Sequence, residues 1–138
     1  MKILIIEPMK KPYVKEIKDD LESLQAIVGG LIQPLYPFPR DNVAIVCNDE
    51  GKMLGMPLNR ALRDPKTGEI WDVIAGTFFI VGTERNEFVS LTDSQVRKYS
   101  ALYQRPEMFL RMGDRILVFP DETDRKSRTK AEKDHEAR

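Results

Sequence analysis

The sequence has very few of the residues from which most metal sites and catalytic centres are built. Of its 138 residues, one is cysteine and one is histidine. The single cysteine, Cys47, excludes an internal disulfide and any zinc or iron–sulfur site that needs several thiolates. The single histidine, His135, lies in a polar segment, which argues against catalytic triads, histidine relays and histidine metal sites. We therefore expect no cofactor.

Net charge and long hydrophobic runs are also missing. The 22 basic and 22 acidic residues cancel, so no global electrostatic signal favours nucleic acid or an anionic membrane. The N-terminal stretch MKILIIEP has four consecutive apolar residues after Lys2, too few for a signal peptide or a membrane span. We expect a cytoplasmic protein with no membrane partner.

Phosphate-binding and catalytic motifs are absent as well. The stretch GGLIQP lacks the lysine and hydroxyl residue of a P-loop, and AGTFFIVG lacks the spacing of a dinucleotide fingerprint. Acidic residues are plentiful, and Glu7 stands at the end of the first predicted strand, but no carboxylate pair has an apolar setting that would raise a pKa. An enzyme that uses carboxylates such as Glu7 is the least favoured function.

Two amphipathic helices are predicted. From Tyr13 to Val28, apolar residues recur at spacings of three and four, and Gly29 and Gly30 follow as a stop signal. The second helix lies in SLTDSQVRKYSALYQRP, where Ser90 or Thr92 can cap the N-terminus.

Short β-rich runs between these helices predict a sheet. The expected strands are Ile3–Ile6, Leu31–Tyr36, a hairpin of Val43–Cys47 and Lys52–Met56, a central strand in VIAGTFFIVG, and a closing hairpin in EMFLRM and RILVF. The sequence thus predicts an α+β fold, a mainly antiparallel sheet of about five to seven strands with two helices on one face.

One domain is expected over residues 1–120, which is long enough to bury a core without metals or disulfides. Residues 121–138 contain no large apolar residue and equal numbers of acidic and basic side chains. This charged tail is predicted to be disordered or to form a solvated helix.

The stretch PLNRALRD, residues 57–64, is the main candidate for a site. If Leu58–Arg63 forms a helical turn, Arg60 and Arg63 share a face and could bind a phosphate or carboxylate. The favoured alternative is that both arginines brace the crossing to the central strand by pairing with nearby acids, namely Asp64, Glu69 or Asp72.

Trp71 follows this stretch and could stack on a base or a cation, although core packing is the commoner fate of a lone tryptophan. The candidate ligand-binding residues are Asn59, Arg60, Arg63, Asp64, Trp71 and Thr77.

Three segments in order, SLQAIVGGLIQ, CNDEGKMLGMPLNRALRD and IAGTFFIVG, resemble an uncharacterised domain family of Gram-positive bacteria, their phages and mobile elements. The resemblance spans roughly Met1 to Pro120 and brings no catalytic residue with it. It implies a small accessory domain, sometimes found beside anti-restriction modules, and therefore an anti-defence or host-takeover setting.

Two functions are expected from these features. The first is a non-enzymatic protein that sequesters an anionic small molecule, such as a nucleotide signal, or blocks a host defence protein. The alternative is an interaction module that acts as a homodimer through a sheet edge or the first helix, with purely structural arginines.

Overall fold

A computed structural model describes residues 1–121. Apart from Asp121, the charged tail predicted at 121–138 lies outside the described residues. Two helices, α1 (Leu21–Val28) and α2 (Asp93–Leu102), are present. The strands in chain order are β1 (Lys2–Ile6), β2 (Tyr13–Glu16), β3 (Ile32–Leu35), β4 (Val43–Asn48), β5 (Leu58–Arg63), β6 (Ile70–Ala75), β7 (Phe78–Glu84), β8 (Glu87–Val89), β9 (Glu107–Met112) and β10 (Arg115–Pro120).

The main sheet has six strands in the order β2-β1-β7-β4-β3, with β8 paired to β7. Every pairing in it is antiparallel. Two smaller antiparallel pairs, β5–β6 and β9–β10, complete the structure. The α+β class and the antiparallel character predicted from the sequence are confirmed.

The two helices lie on opposite faces of the main sheet, and the expectation that both would lie on one face is wrong. Leu24 and Val28 of α1 pack in one cluster with Phe79 of β7, whereas Tyr99 of α2 packs in the other with Phe78. Successive side chains of a strand point to opposite faces, so a sheet that is apolar on both faces needs cover on both. The β5–β6 pair supplies Leu62 and Ile74 to the α2 side.

The predicted first helix is half strand. Tyr13–Glu16 pairs with β1 as an edge strand, and α1 begins only after Asp20, whose carboxylate accepts a hydrogen bond from the Ser23 N–H at 2.7 Å. The apolar residues of this stretch have helical spacing, but the hydrogen bonds that it forms with the edge of β1 outweigh that local preference. The predicted end is confirmed, since Gly29 caps the helix in the left-handed conformation.

The predicted hairpin of Val43–Cys47 with Lys52–Met56 does not form. Strand β4 pairs with β3 and β7 instead, and residues 51–55 form consecutive turns. The apolar run VIAGTFFIVG is likewise two strands, because Gly76 at φ +84° separates β6 from β7. A central strand in this run is confirmed as β7, and the second helix and the closing hairpin are confirmed as α2 and β9–β10.

Cys47 is buried, as its apolar neighbours indicate, and burial raises the pKa of its thiol to about 11. Neither helix of the described residues is long and apolar enough to cross a membrane.

Asp41 joins α2 to the connection between β3 and β4. One carboxylate oxygen accepts the Tyr99 hydroxyl at 2.5 Å, and the other accepts the Gln95 side-chain amide at 3.1 Å. Hydrogen bonds to the charged form, from Tyr99 above all, hold the pKa of the Asp41 carboxyl below its ordinary value.

Because the pKa of Asp41 is lower in the folded state, its ionised form stabilises the fold above about pH 4, and this contribution is lost as the pH falls through the folded-state value. We expect Asp41→Asn to lower the free energy of unfolding at pH 7 and to reduce the loss of stability between pH 4 and pH 2. Urea denaturation across this pH range measures both effects. Asp19→Asn, at an exposed position, is the control, and equal curves for the two variants would contradict the assignment.

Candidate functional site

The stretch PLNRALRD contains strand β5, so the helical turn that would put Arg60 and Arg63 on one face does not form. Leu58 pairs with Ala75 and Arg60 with Ile74, so Asn59 is an extra residue in β5. A bulge of this kind changes the direction in which a side chain points. It leaves the Asn59 and Arg60 side chains adjacent, with 2.9 Å between Arg60 Nη1 and Asn59 Oδ1.

Asn59 is fully buried and links β5 to the end of β1 and to the connection between β6 and β7. Its side-chain amide nitrogen donates to the carbonyl of Ile6, at the end of β1, at 2.9 Å and to the carbonyl of Gly76, between β6 and β7, at 2.8 Å. Its oxygen accepts from Arg60, so all the polar atoms of the Asn59 side chain are used within the protein.

Arg60 is a buried cation whose contacts are neutral oxygens. Its guanidinium donates to the Tyr103 carbonyl at 3.0 and 3.3 Å, to the Lys10 carbonyl at 2.7 Å, and to the carbonyl and side-chain oxygens of Asn59 at 3.3 and 2.9 Å. These five bonds match the five N–H groups of a guanidinium. Burial lowers the pKa of Arg60 from its ordinary value, but a guanidinium remains protonated in a protein.

Arg63 pairs with Glu107 of β9. Arg63 Nη2 lies 2.6 Å from Glu107 Oε2, and the other carboxylate oxygen accepts the backbone N–H of Ala61 at 2.9 Å. The Glu107 side chain is 8% exposed and the Arg63 side chain 44%. One buried carboxylate therefore attaches the β9–β10 hairpin to β5.

The acids predicted to pair with the two arginines have other partners. Asp64 accepts the backbone N–H groups of Lys66 and Thr67 within its own turn, and Asp72 pairs with Lys52. Glu69 bonds to Asp64 through its backbone carbonyl. The arginines do brace the structure, but Arg60 does so through carbonyl oxygens and Arg63 through Glu107.

A cavity of about 810 Å³ opens between β5, the C-terminal end of α2 and the base of the β9–β10 hairpin. Arg60, Arg63 and Asp64 line it, as predicted site residues that the fold brings together. Its other charged and aromatic lining residues are Lys11, Phe38, Tyr103, Arg105, Glu107 and Asp121.

The other candidate residues are not at this cavity. Trp71 lies on β6, where a shift in the pairing register leaves it without an opposite residue, and it is 55% exposed. Thr77 is partly buried between β6 and β7. Asn59 does not line the cavity, and it acts on the site only by accepting a hydrogen bond from the Arg60 guanidinium.

Sequence reasoning missed Arg105 and Glu107, which follow α2 more than 40 residues after β5. Their role depends on where the chain returns after α2, and no local pattern encodes this placement. The nearest signal is Pro106, a helix-breaking residue that stands between Arg105 and Glu107.

Among residues 1–121, no group of three or more histidine, cysteine, aspartate or glutamate side chains could hold a metal ion. Of the carboxylates that line the cavity, Asp64 accepts hydrogen bonds from its own turn, and Glu107 accepts them from Ala61 and Arg63. The donors offered by this arrangement are guanidinium groups, which suit anions.

We expect Arg60→Ala to lower the free energy of unfolding by about 3 kcal/mol or more, because it leaves buried oxygens without donors. Arg63→Ala removes a half-exposed cation from the buried Glu107 carboxylate, which keeps its hydrogen bond from the Ala61 N–H, and should cost about 1–2 kcal/mol. Arg60→Lys should recover only part of the loss, since an ammonium has three donors instead of five. Urea denaturation compares the three variants, and equal losses at Arg60 and Arg63 would contradict the structural role of Arg60.

Comparison with known proteins gives one result at the level of the family. A family model described as a domain of unknown function, DUF3846, matches residues 1–104. The match contains Lys10, Asn59, Arg60 and Tyr103, and ends before the β9–β10 hairpin. No curated protein and no solved structure matches the chain. Because the family model covers well over half of its length, the chain belongs to the DUF3846 family.

Proposed function

We propose that this protein is a non-enzymatic binding protein for an organic anion of the nucleotide class, held in the cavity between β5, α2 and the β9–β10 hairpin. The observation that carries the proposal is the set of guanidinium groups around one cavity, formed by Arg60, Arg63 and Arg105. A volume of about 810 Å³ lies within the ordinary range for small-molecule sites.

The charge distribution at this cavity favours an anion. The positive charge of Arg60 is bonded only to neutral oxygens, whereas Glu107 is bonded to Arg63. Fixed positive charge that is partly removed from water raises the local concentration of anions.

Hydrogen-bond donors remain for the ligand. Within the described part of the chain, Arg63 donates one side-chain hydrogen bond, which leaves four of its N–H groups. Arg105 is exposed, and no described residue hydrogen-bonds to it or pairs with it. A phosphate could accept hydrogen bonds from both guanidinium groups, with Arg60 contributing only its charge.

An apolar wall next to these arginines suits the rest of a nucleotide. Pro37, Phe38, Leu102 and Pro106 line the same cavity. The Phe38 ring is partly buried and packs on Tyr99 at 4.8 Å between ring centroids, which gives it a fixed position for contact with a base.

Binding without turnover is favoured because neither Asp64, Glu107 nor Tyr103 is available as a base. Asp64 and Glu107 are already hydrogen-bonded, and burial raises the pKa of the Tyr103 hydroxyl. Sequestration of a nucleotide signal in the cytoplasm would suit the phage and mobile-element setting that the sequence resemblance implies.

Isothermal titration calorimetry against nucleoside monophosphates, cyclic mononucleotides and cyclic dinucleotides tests this function. We expect binding to at least one of them, and no binding to the corresponding nucleoside. Arg105→Gln and Arg63→Gln should each weaken binding about 10- to 100-fold, since a hydrogen bond to a charged group contributes about 1.5–3 kcal/mol.

Arg97→Gln is the matched control, because Arg97 is an exposed arginine of α2 that does not line the cavity. It should leave the affinity unchanged. Absence of heat with every nucleotide would refute the proposal, as would an equal loss of affinity in Arg97→Gln and Arg105→Gln.

A further inference from the structure

The β9–β10 hairpin has one apolar face that no other described part of the chain covers. Residues directly opposite each other in an antiparallel pair share a face, and the pairs Met108–Phe119, Leu110–Leu117 and Met112–Arg115 therefore lie on one side. The five apolar members of this set, Met108, Leu110, Met112, Leu117 and Phe119, are called here the outer face. Each of them is between 37% and 56% exposed.

The opposite face of the hairpin is turned toward the protein at its base. Glu107 on that face is bonded to Ala61 and Arg63, and Phe109 and Val118 are partly buried. The outer face consequently points away from β5. An isolated two-stranded hairpin is marginally stable in water, so a partner that covers this apolar face would stabilise it.

We propose that the outer face is the interface of a homodimer, in which it packs against the same face of a second copy. The remaining residues of this chain are poor candidates to cover it. Residues 122–138 contain no apolar side chain larger than alanine, and they cannot supply an apolar surface that fits over five large side chains.

The area of the outer face fits the apolar part of an ordinary interface. Each of the five residues exposes between 37% and 56% of its surface, so together they form an apolar patch on the order of a few hundred Å² per protomer. A standard interface buries about 800 Å² per partner, of which a little over half is apolar. The polar edges of the hairpin would form the rest.

Charge also favours a second copy. The chain has 22 acidic and 22 basic residues, so two copies associate without net repulsion. The side of the hairpin that bears the outer face has no acidic residue, and its one charged residue, Arg115, lies at the turn end. In a two-fold arrangement of antiparallel hairpins, Arg115 of one copy faces the base of the other, where the Phe119 ring is available for a cation–π contact.

Sedimentation equilibrium of the full 138-residue chain tests the homodimer. We expect reversible association to twice the chain mass of 15.9 kDa, and we expect Leu110→Glu to raise the dissociation constant at least tenfold. Ile116→Glu is the matched control, because Ile116 is 38% exposed on the opposite face of the same hairpin. It should leave the association unchanged.

A chain that stays monomeric up to several hundred micromolar would overturn the proposal, as would a dimer that Leu110→Glu and Ile116→Glu affect equally. Cross-linking gives a second measurement that needs only a mild substitution. Cys47 is buried and is the only native cysteine, so Leu110→Cys offers a single exposed thiol to a bifunctional maleimide. Leu110→Cys should form cross-linked dimers in good yield and Ile116→Cys should not; the reverse pattern would place the contact elsewhere.

Discussion

The buried guanidinium of Arg60 is the constraint on which the rest of the site depends. Its five donors hold the loop after β1, the bulge in β5 and the end of α2 in one fixed arrangement. Asn59 extends the arrangement to the ends of β1 and β6. A permanent charge in a buried position tolerates little movement of its acceptors, because each lost contact leaves a polar group unsatisfied. The cavity wall formed by these segments is therefore preorganised.

The two arginines of PLNRALRD have different roles, because the contacts of Arg60 bury it while Arg63 remains half exposed. Arg60 uses its donors to build the structure, whereas Arg63, three residues later, uses one donor on Glu107 and keeps its remaining donors at the cavity. The strand bulge at Asn59 produces this difference, because it buries two successive polar side chains before the chain returns toward the surface. Two arginines of similar appearance in the sequence thus differ in burial, in partners and in what they can offer a ligand.

The α+β class, strand β7 at the centre of the sheet, the capped helix α2 and the closing hairpin could be predicted, because apolar runs and capping residues encode them locally. Strand β2, where a helix is expected from Tyr13, and strand β5 in PLNRALRD could not be predicted, because β1 and β6 supply backbone partners that outweigh local propensity. The sequence singled out Arg60, Arg63 and Asp64 as site residues. Arg105 and Glu107 could not be found, since only the return of the chain after α2 brings them to β5.

The Glu107 carboxylate accepts a backbone N–H of β5, as a carbonyl of a neighbouring strand would do. It also pairs with Arg63, so this one side chain attaches the β9–β10 hairpin to β5. The residues that bond to Arg60 all fall within the matched family domain, whereas the hairpin follows it. Within the described residues, the hairpin is an element that follows the matched domain and is joined to β5 by the Glu107 side chain. Such an element could be lost, lengthened or replaced in evolution without rebuilding the core, and it is the natural place to graft a new binding surface onto this fold.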